Sequence, residues 1–222
     1  MKIELLATSI SDKAYDQIRK DIIFGRLIPG QKLRLDRLTR QYGASVSTLR
    51  EILSRLSSEG LLLAEGQRGF QVRGVSASDF KDVAAMRLLL ESHAIRLSFA
   101  AGDLHWESQV VAAYHKLSLM EQQLLAGEEG DPESWKRYDR EFHQALIAAC
   151  GSQTLLDLFA NVYDQYLRYQ MVVVIFRGKP AAEEHRQLRY CVLKRDVERA
   201  CDVLKKHIEG CVAHTLELGV LK

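Results

Sequence analysis

Only three prolines, Pro29, Pro132 and Pro180, interrupt the 222 residues. Proline inside a helix removes a hydrogen bond and clashes with the preceding turn, so their scarcity leaves long stretches free to be helical. The apolar positions in those stretches recur every three and four residues, the helical rather than the strand period. A first helix is expected over about 12–24, with Tyr15, Ile18 and Ile22 on one face and Gly25 behind it. A short helix over 35–42 presents Leu35, Leu38 and Tyr42 and is stopped by Gly43. A third, over 47–58, places Leu49, Ile52, Leu53 and Leu56 at i, i+3, i+4 and i+7. Leu61–Ala64 and Phe70–Arg73 then flank the turn Gly66-Gln67-Arg68-Gly69, the pattern of a β-hairpin.

Beyond Gly74 the pattern is helical throughout. Helices are expected near 78–101, 104–126, 133–149, 153–176, 181–194 and 197–217, separated by Gly102, Gly127, Gly151 and Gly178. Ser78, Ser152 and Asp196 are the expected caps. The β-branched run Val172–Ile175 would also suit a strand, but such a strand would have no partner, so the helix is extended through it. The fold class is therefore mainly α, in two domains: 1–75, with three helices and a small hairpin, and 76–222, an all-α bundle of about six helices. The bundle holds too few short apolar runs to hide a membrane span. Its longest, Met171–Phe176, is six residues against the roughly 20 that a bilayer needs. Four cysteines, Cys150, Cys191, Cys201 and Cys211, form no C-x-x-C pair and read as core thiols in a reducing cytoplasm. The amino-terminal stretch lacks the sustained apolar run of a secretory signal.

Charge divides unevenly between the two domains. Residues 1–75 carry 13 Lys/Arg against 8 Asp/Glu, net +5, and residues 76–222 carry 18 against 21, net −3. A basic front end on a mildly acidic body suggests a module that meets a polyanion. Helix, short helix, turn, helix, hairpin is the order of a winged helix-turn-helix. Its third helix offers Ser47, Thr48, Arg50 and Ser54 on the side away from the apolar stripe. Hydroxyls and helix N-termini suit phosphate oxygens, and an arginine can reach a guanine edge. Arg50 could instead pair with Glu51 or Glu59 on a solvated face.

The segments IFGRLIPGQKLR, LTRQYGASVSTLREILSRLSSEGLL and GQRGFQV resemble the amino-terminal domain of GntR-family transcription regulators over residues 13–73. That resemblance implies DNA contacts from Arg34, Ser45, Ser47, Thr48, Arg50 and the wing tip Gln67, Arg68 and Gly69. One position departs from the family pattern: Val46 stands where arginine is usual.

In the second domain Asp139 and His143 are four apart on an expected helix and so share a face. His185 opens a later helix, and His207 lies within the stripe Ala200, Leu204, Cys211 of the last one. Three imidazoles and a carboxylate from three helices could converge on Zn²⁺, Ni²⁺ or Mn²⁺ and leave positions open for a ligand. The same spacing also suits core histidines with carbonyl partners, and His214 is left as packing. The elements DREFH at 139–143, EH at 184–185 and KHI at 206–208 resemble those of the FCD ligand-binding domain of the FadR subfamily. The resemblance implies Asp139, His143, His185 and His207 as metal ligands. Arg87 and Glu91, four apart, would ordinarily pair as a surface salt bridge; the resemblance implies instead that Arg87 faces an effector cavity where a small organic acid would be gripped.

The function expected from these features is a cytoplasmic, metabolite-responsive regulator, a repressor by the commoner family habit, bound as a homodimer to a palindromic operator. Two alternatives use the same Asp/His cluster: a metal-dependent hydrolase, and a pure metal sensor.

Overall fold

The computed structural model describes residues 9–66, 69–128, 130–173 and 176–221. The chain divides into two compact units, Met1–Val75 and Ser76–Lys222.

The first unit begins with α1 (Ile10–Ile23), opened by a reciprocal cap in which the Ser9 hydroxyl accepts from the Asp12 N–H and the Asp12 carboxylate accepts from the Ser9 N–H. β1 (Lys32–Leu33) leads into α2 (Leu35–Tyr42), which ends at Gly43 in the left-handed conformation, φ 66°. A side chain there would be strained, so glycine is what allows the tight step into α3 (Val46–Ser58). β2 (Leu62–Ala64) and β3 (Phe70–Val72) follow. The expected hairpin is present but incomplete as a description. The sheet has three strands in the order β1-β3-β2, all antiparallel, with Leu33 opposite Phe70 and Leu62 opposite Val72. A two-residue strand has no readable period, which is why β1 escaped the sequence pattern. Leu49, Ile52, Leu53 and Leu56 of α3 pack with Ile18, Ile22 and Leu38 into one apolar core. At its margin the buried Asp21 carboxylate accepts from Arg26, Gln17 and the Tyr42 hydroxyl, tying α1 to α2.

The second unit has six helices among the described residues: α4 (Ala77–Ala101), α5 (Leu104–Leu125), α6 (Pro132–Ile147), α7 (Gln153–Val173), α8 (Lys179–Lys194) and α9 (Val197–Glu217). α4 packs on α7 and α9, α5 on α6 and α8, and α8 on α9. Side-chain caps set several starts: Asp103 for α5, Asp131 ahead of Pro132 for α6, Ser152 for α7 and Asp196 for α9. α4 is capped by Ser76, not Ser78: the Ser76 hydroxyl accepts from the Asp79 N–H, and the helix begins at Ala77, one residue before the expected start. α7 is described as far as Val173; of the rest of the expected helix to 176, Val174 and Ile175 lie outside the described residues and Phe176 is not helical. Phe176 lies beyond the helix with its ring 5.2 Å from that of Trp135.

Gly102, between α4 and α5, is required by space. A Cβ there would fall 2.3 Å from the Trp106 ring and 2.6 Å from the Ser98 carbonyl oxygen. The four cysteines are buried and unpaired. Among the described residues no helix is long and apolar enough to cross a membrane.

Candidate nucleic-acid interface and metal centre

The stripe that anchors α3 leaves its opposite face to solvent. Val46, Ser47, Arg50 and Ser54 are exposed there. The Ser45 hydroxyl caps the helix by accepting from the Thr48 N–H at 3.2 Å, and also lies 2.8 Å from the Ser47 hydroxyl and 2.9 Å from that of Thr48. Arg50 makes no hydrogen bond or ion pair within the described residues. Glu59 is engaged elsewhere, by Tyr15 at 2.6 Å and Arg55 at 3.2 Å. The pairing of Arg50 with Glu59 or Glu51 is therefore not made, and its guanidinium is free for an outside partner. Arg34 is exposed at the start of α2, and Gly69 holds the wing turn at φ 91°. Gln67 and Arg68 lie outside the described residues.

In the bundle, α6 supplies Asp139 and His143, α8 supplies His185 and α9 supplies His207. One donor atom from each lies within 4.8 Å of the other three, and all four side chains are buried. The ring centroids are 5.6 Å (His143–His185), 5.3 Å (His143–His207) and 4.6 Å (His185–His207) apart. Each imidazole is held from behind by a buried carboxylate. His143 Nδ1 lies 2.5 Å from Glu91 Oε1, His185 Nδ1 2.7 Å from Glu121 Oε1, and His207 Nδ1 3.0 Å from Glu184 Oε2.

With Nδ1 donating to a carboxylate, the Nε2 lone pair is the one left to face inward. Nε2 of His143 and Nε2 of His185 have no hydrogen-bond partner among the described residues, although Asp139 Oδ1 is 3.3 Å from the latter. Buried polar atoms without partners are costly, and here they gather beside a carboxylate oxygen. The set of three nitrogens and one oxygen, backed by outer carboxylates, fits a divalent transition ion.

Sequence reading named the four inner residues but missed two of the three anchors behind them, and took Glu91 only as the partner of Arg87. For Glu121 a signal existed, since it continues the buried stripe Trp106, Val110, Ala113, Leu117 of α5. A lone acid on an apolar stripe asks for a buried partner.

Glu91 is shared. Its Oε2 accepts from Arg87 Nε at 2.9 Å while its Oε1 meets His143. Arg87 is fully buried, and its guanidinium carbon lies 4.6 and 4.5 Å from the ring centroids of Tyr163 and Tyr166. Its two terminal nitrogens, Nη1 and Nη2, have no hydrogen-bond partner among the described residues. This Arg–Glu pair is therefore not a surface salt bridge. It presents an unfilled fork of donors inside the bundle, next to the histidines. Asp139 is further held by the Tyr163 hydroxyl at 2.7 Å and lies 3.7 Å from Lys136 Nζ.

Burial opposes charge on all these groups, and their neighbours decide the outcome. For Asp139, Lys136 and the two nearest histidines outweigh burial and hold the carboxyl low. For Glu91, His143 and Arg87 do the same. Burial drives His143 down and His207 well down, whereas Glu121 overcomes burial and raises His185.

A pH dependence follows for the metal-free protein. His143 and His207 stay neutral in the folded state below about 6.5, where the unfolded chain takes up their protons. The unfolded state then binds more protons, so stability falls as pH falls. His185 has the opposite sign: its contribution is full below about 6.5 and is lost as pH rises above it. Urea unfolding of chelator-treated protein should therefore show a lower midpoint at pH 5.5 than at 7. An unchanged or higher midpoint would contradict the neutral pair.

Residues 10–72 match the family described as bacterial regulatory proteins, gntR family, and residues 82–210 match the FCD domain. The chain is 36% identical over 217 residues to the HTH-type transcriptional regulator BphR of Paraburkholderia xenovorans, covering 96% of this chain and 88% of that protein. It is 31% identical over 207 residues to the HTH-type transcriptional repressor GlaR of Escherichia coli, covering 90% and 93%. The solved structure of E. coli McbR/YncC has the same fold at 19% identity, with a TM-score of 0.81 over 96% of this chain and 100% of that one.

Proposed function

Because the chain belongs to the GntR family of bacterial regulatory proteins, with an FCD domain behind its winged helix, and is thus a DNA-binding transcription regulator, we propose that it is a metal-dependent sensor of a small organic acid. In this reading residues 1–75 bind the operator and residues 76–222 bind the effector and form the homodimer. Two α3 helices related by a two-fold axis would meet a palindrome. Arg50 would read a base, while Arg34, Ser45, Ser47, Thr48 and the wing residues Gln67, Arg68 and Gly69 would position the backbone. The similarity to GlaR, which is named a repressor, favours repression over activation. A regulator of this kind acts where the chromosome is, in the cytoplasm.

The observation that carries the effector reading is the convergence of three carboxylate-anchored imidazoles beside a buried guanidinium with two unpartnered nitrogens. Asp139, His143, His185 and His207 would hold Zn²⁺, Ni²⁺ or Mn²⁺. When bound, such an ion supplies a Lewis-acid position for a carboxylate oxygen. Arg87 would take that acid's charge through Nη1 and Nη2, and Glu91 would keep the guanidinium in place while fixing the His143 tautomer. The acid changes DNA affinity only by the difference between its affinities for the DNA-competent and DNA-free forms. A hydrolase draws no support from relatives named as regulators. A pure metal sensor would leave the Arg87 fork without a purpose.

The test begins with selection of genomic fragments by the full chain at fixed salt. The operator complex is then titrated with Zn²⁺, Ni²⁺ or Mn²⁺, each alone and with small mono- and dicarboxylic acids. The expected result is an enriched palindrome whose binding shifts only when metal and acid are both present. A full response to metal alone would replace this reading with the metal sensor. No response to any acid with any of the three ions would end it.

A further inference from the structure

The outward face of α3 carries one apolar side chain, and we propose that Val46 reads the C5-methyl group of a thymine, fixing a T·A pair about two steps from the base that Arg50 contacts. The inference rests on α3 being the helix that enters the major groove.

Val46 opens α3 and is 44% exposed, whereas Leu49, Ile52, Leu53 and Leu56 of the same helix are at most 4% exposed. The hydroxyls around it are bonded to one another: Ser45 to Ser47 at 2.8 Å and Ser45 to Thr48 at 2.9 Å. In the first turn, the outward side chain with no bond to make is thus the valine. Arg50, exposed and unpaired, follows four residues later on the same face, about 6 Å along the helix axis. At ~3.4 Å per base pair that separation spans about two steps. Residues at the start of a recognition helix are the ones that reach base edges.

The chemistry then selects the base. In the major groove thymine alone offers an apolar group, its methyl, while guanine, adenine and cytosine offer acceptors or an amino donor. An isopropyl group cannot donate or accept. Pressed against N7, O6 or an amino group it displaces water and returns no hydrogen bond. Against a methyl it buries apolar surface on both sides. Discrimination therefore has an attractive part toward thymine and a penalty against the other bases. The β-branched side chain is stiff about χ1, so little rotamer freedom is lost on contact.

The experiment uses the full chain and its selected operator. A thymine should recur in each half-site within about two base pairs of the guanine whose preference disappears in Arg50→Ala. Replacing that thymine by deoxyuridine removes only the methyl. It should weaken wild-type binding about fourfold per half-site, the effect of one buried methyl-sized group. Val46→Ala should bind the thymine and deoxyuridine operators within a factor of two of each other. Placing 5-methylcytosine at the same position should recover part of the affinity that cytosine loses with wild type, and not with the variant. Equal deoxyuridine effects in wild type and Val46→Ala, or no effect at any thymine, would overturn the proposal. If Arg50→Ala still alters base preference in that case, the placement of α3 stands and only the role of Val46 falls. Selection of no sequence by wild type, or a preference unchanged in Arg50→Ala, would remove the placement of α3 and this inference with it.

Discussion

Arg50→Ala lowers operator affinity about 5- to 150-fold per half-site at constant salt and leaves the melting of the protein unchanged. The expected size is that of one good base contact, about 1–3 kcal/mol. Arg50 is suited to this role by what it lacks: it is exposed, sits one turn into α3, and is not tied to Glu59, which already serves Tyr15 and Arg55. A free guanidinium costs no broken ion pair on binding. Two further readings separate base contact from phosphate contact. A base contact relaxes preference at one position of the selected sequence. A phosphate contact weakens all sequences about equally and lowers the salt slope by about one. Arg50→Lys should recover little, because an ammonium cannot reproduce the two-pronged grip on a guanine edge. Operator affinity in Arg50→Ala equal to wild type would remove α3 from the interface.

Local patterns explain how much of this architecture could be read in advance. The stripe Leu49, Ile52, Leu53, Leu56 needs only the 3.6-residue period, and the structure buries all four. Asp139 and His143 need only the i, i+4 rule to share a face. What escaped depends on contacts between elements. β1 is two residues long and exists because β3 offers it an edge. The start of α4 at Ala77 depends on the Ser76 cap rather than on a periodic residue. Glu121 and Glu184 become anchors only when α5 and α9 approach α8. The Arg87–Glu91 pair looks like an ordinary surface salt bridge along the chain, and only packing shows that it has no exposure. In each case the missing information is which faces meet, and helical periodicity does not carry it.

The second large effect concerns His143, which stands between the two halves of the bundle site. Its Nδ1 shares Glu91 with Arg87, and its unpartnered Nε2 faces the other donors. His143→Ala therefore removes one donor of four and also releases the carboxylate that holds the guanidinium. Outer carboxylates alone are worth about 10- to 100-fold in metal affinity. The loss for His143→Ala should exceed about 100-fold, and Glu121→Gln, which disturbs only the support of His185, should fall within the 10- to 100-fold range. Zn²⁺ competition with a chromophoric chelator measures both. The metal-free variants should bind operator as metal-free wild type does, because α3 is in the other unit. Their response to metal with acid should be lost in His143→Ala and displaced to higher metal concentration in Glu121→Gln. Circular dichroism checks folding, since His143 is fully buried and its truncation leaves a void. If His143→Ala misfolds, Glu121→Gln carries the test alone, because it keeps the size of the side chain it replaces. Wild-type Zn²⁺ affinity in both variants would mean that the four residues are not the metal centre. Weakened Zn²⁺ affinity with an undiminished response to acid would place the effector elsewhere and leave the metal a structural role.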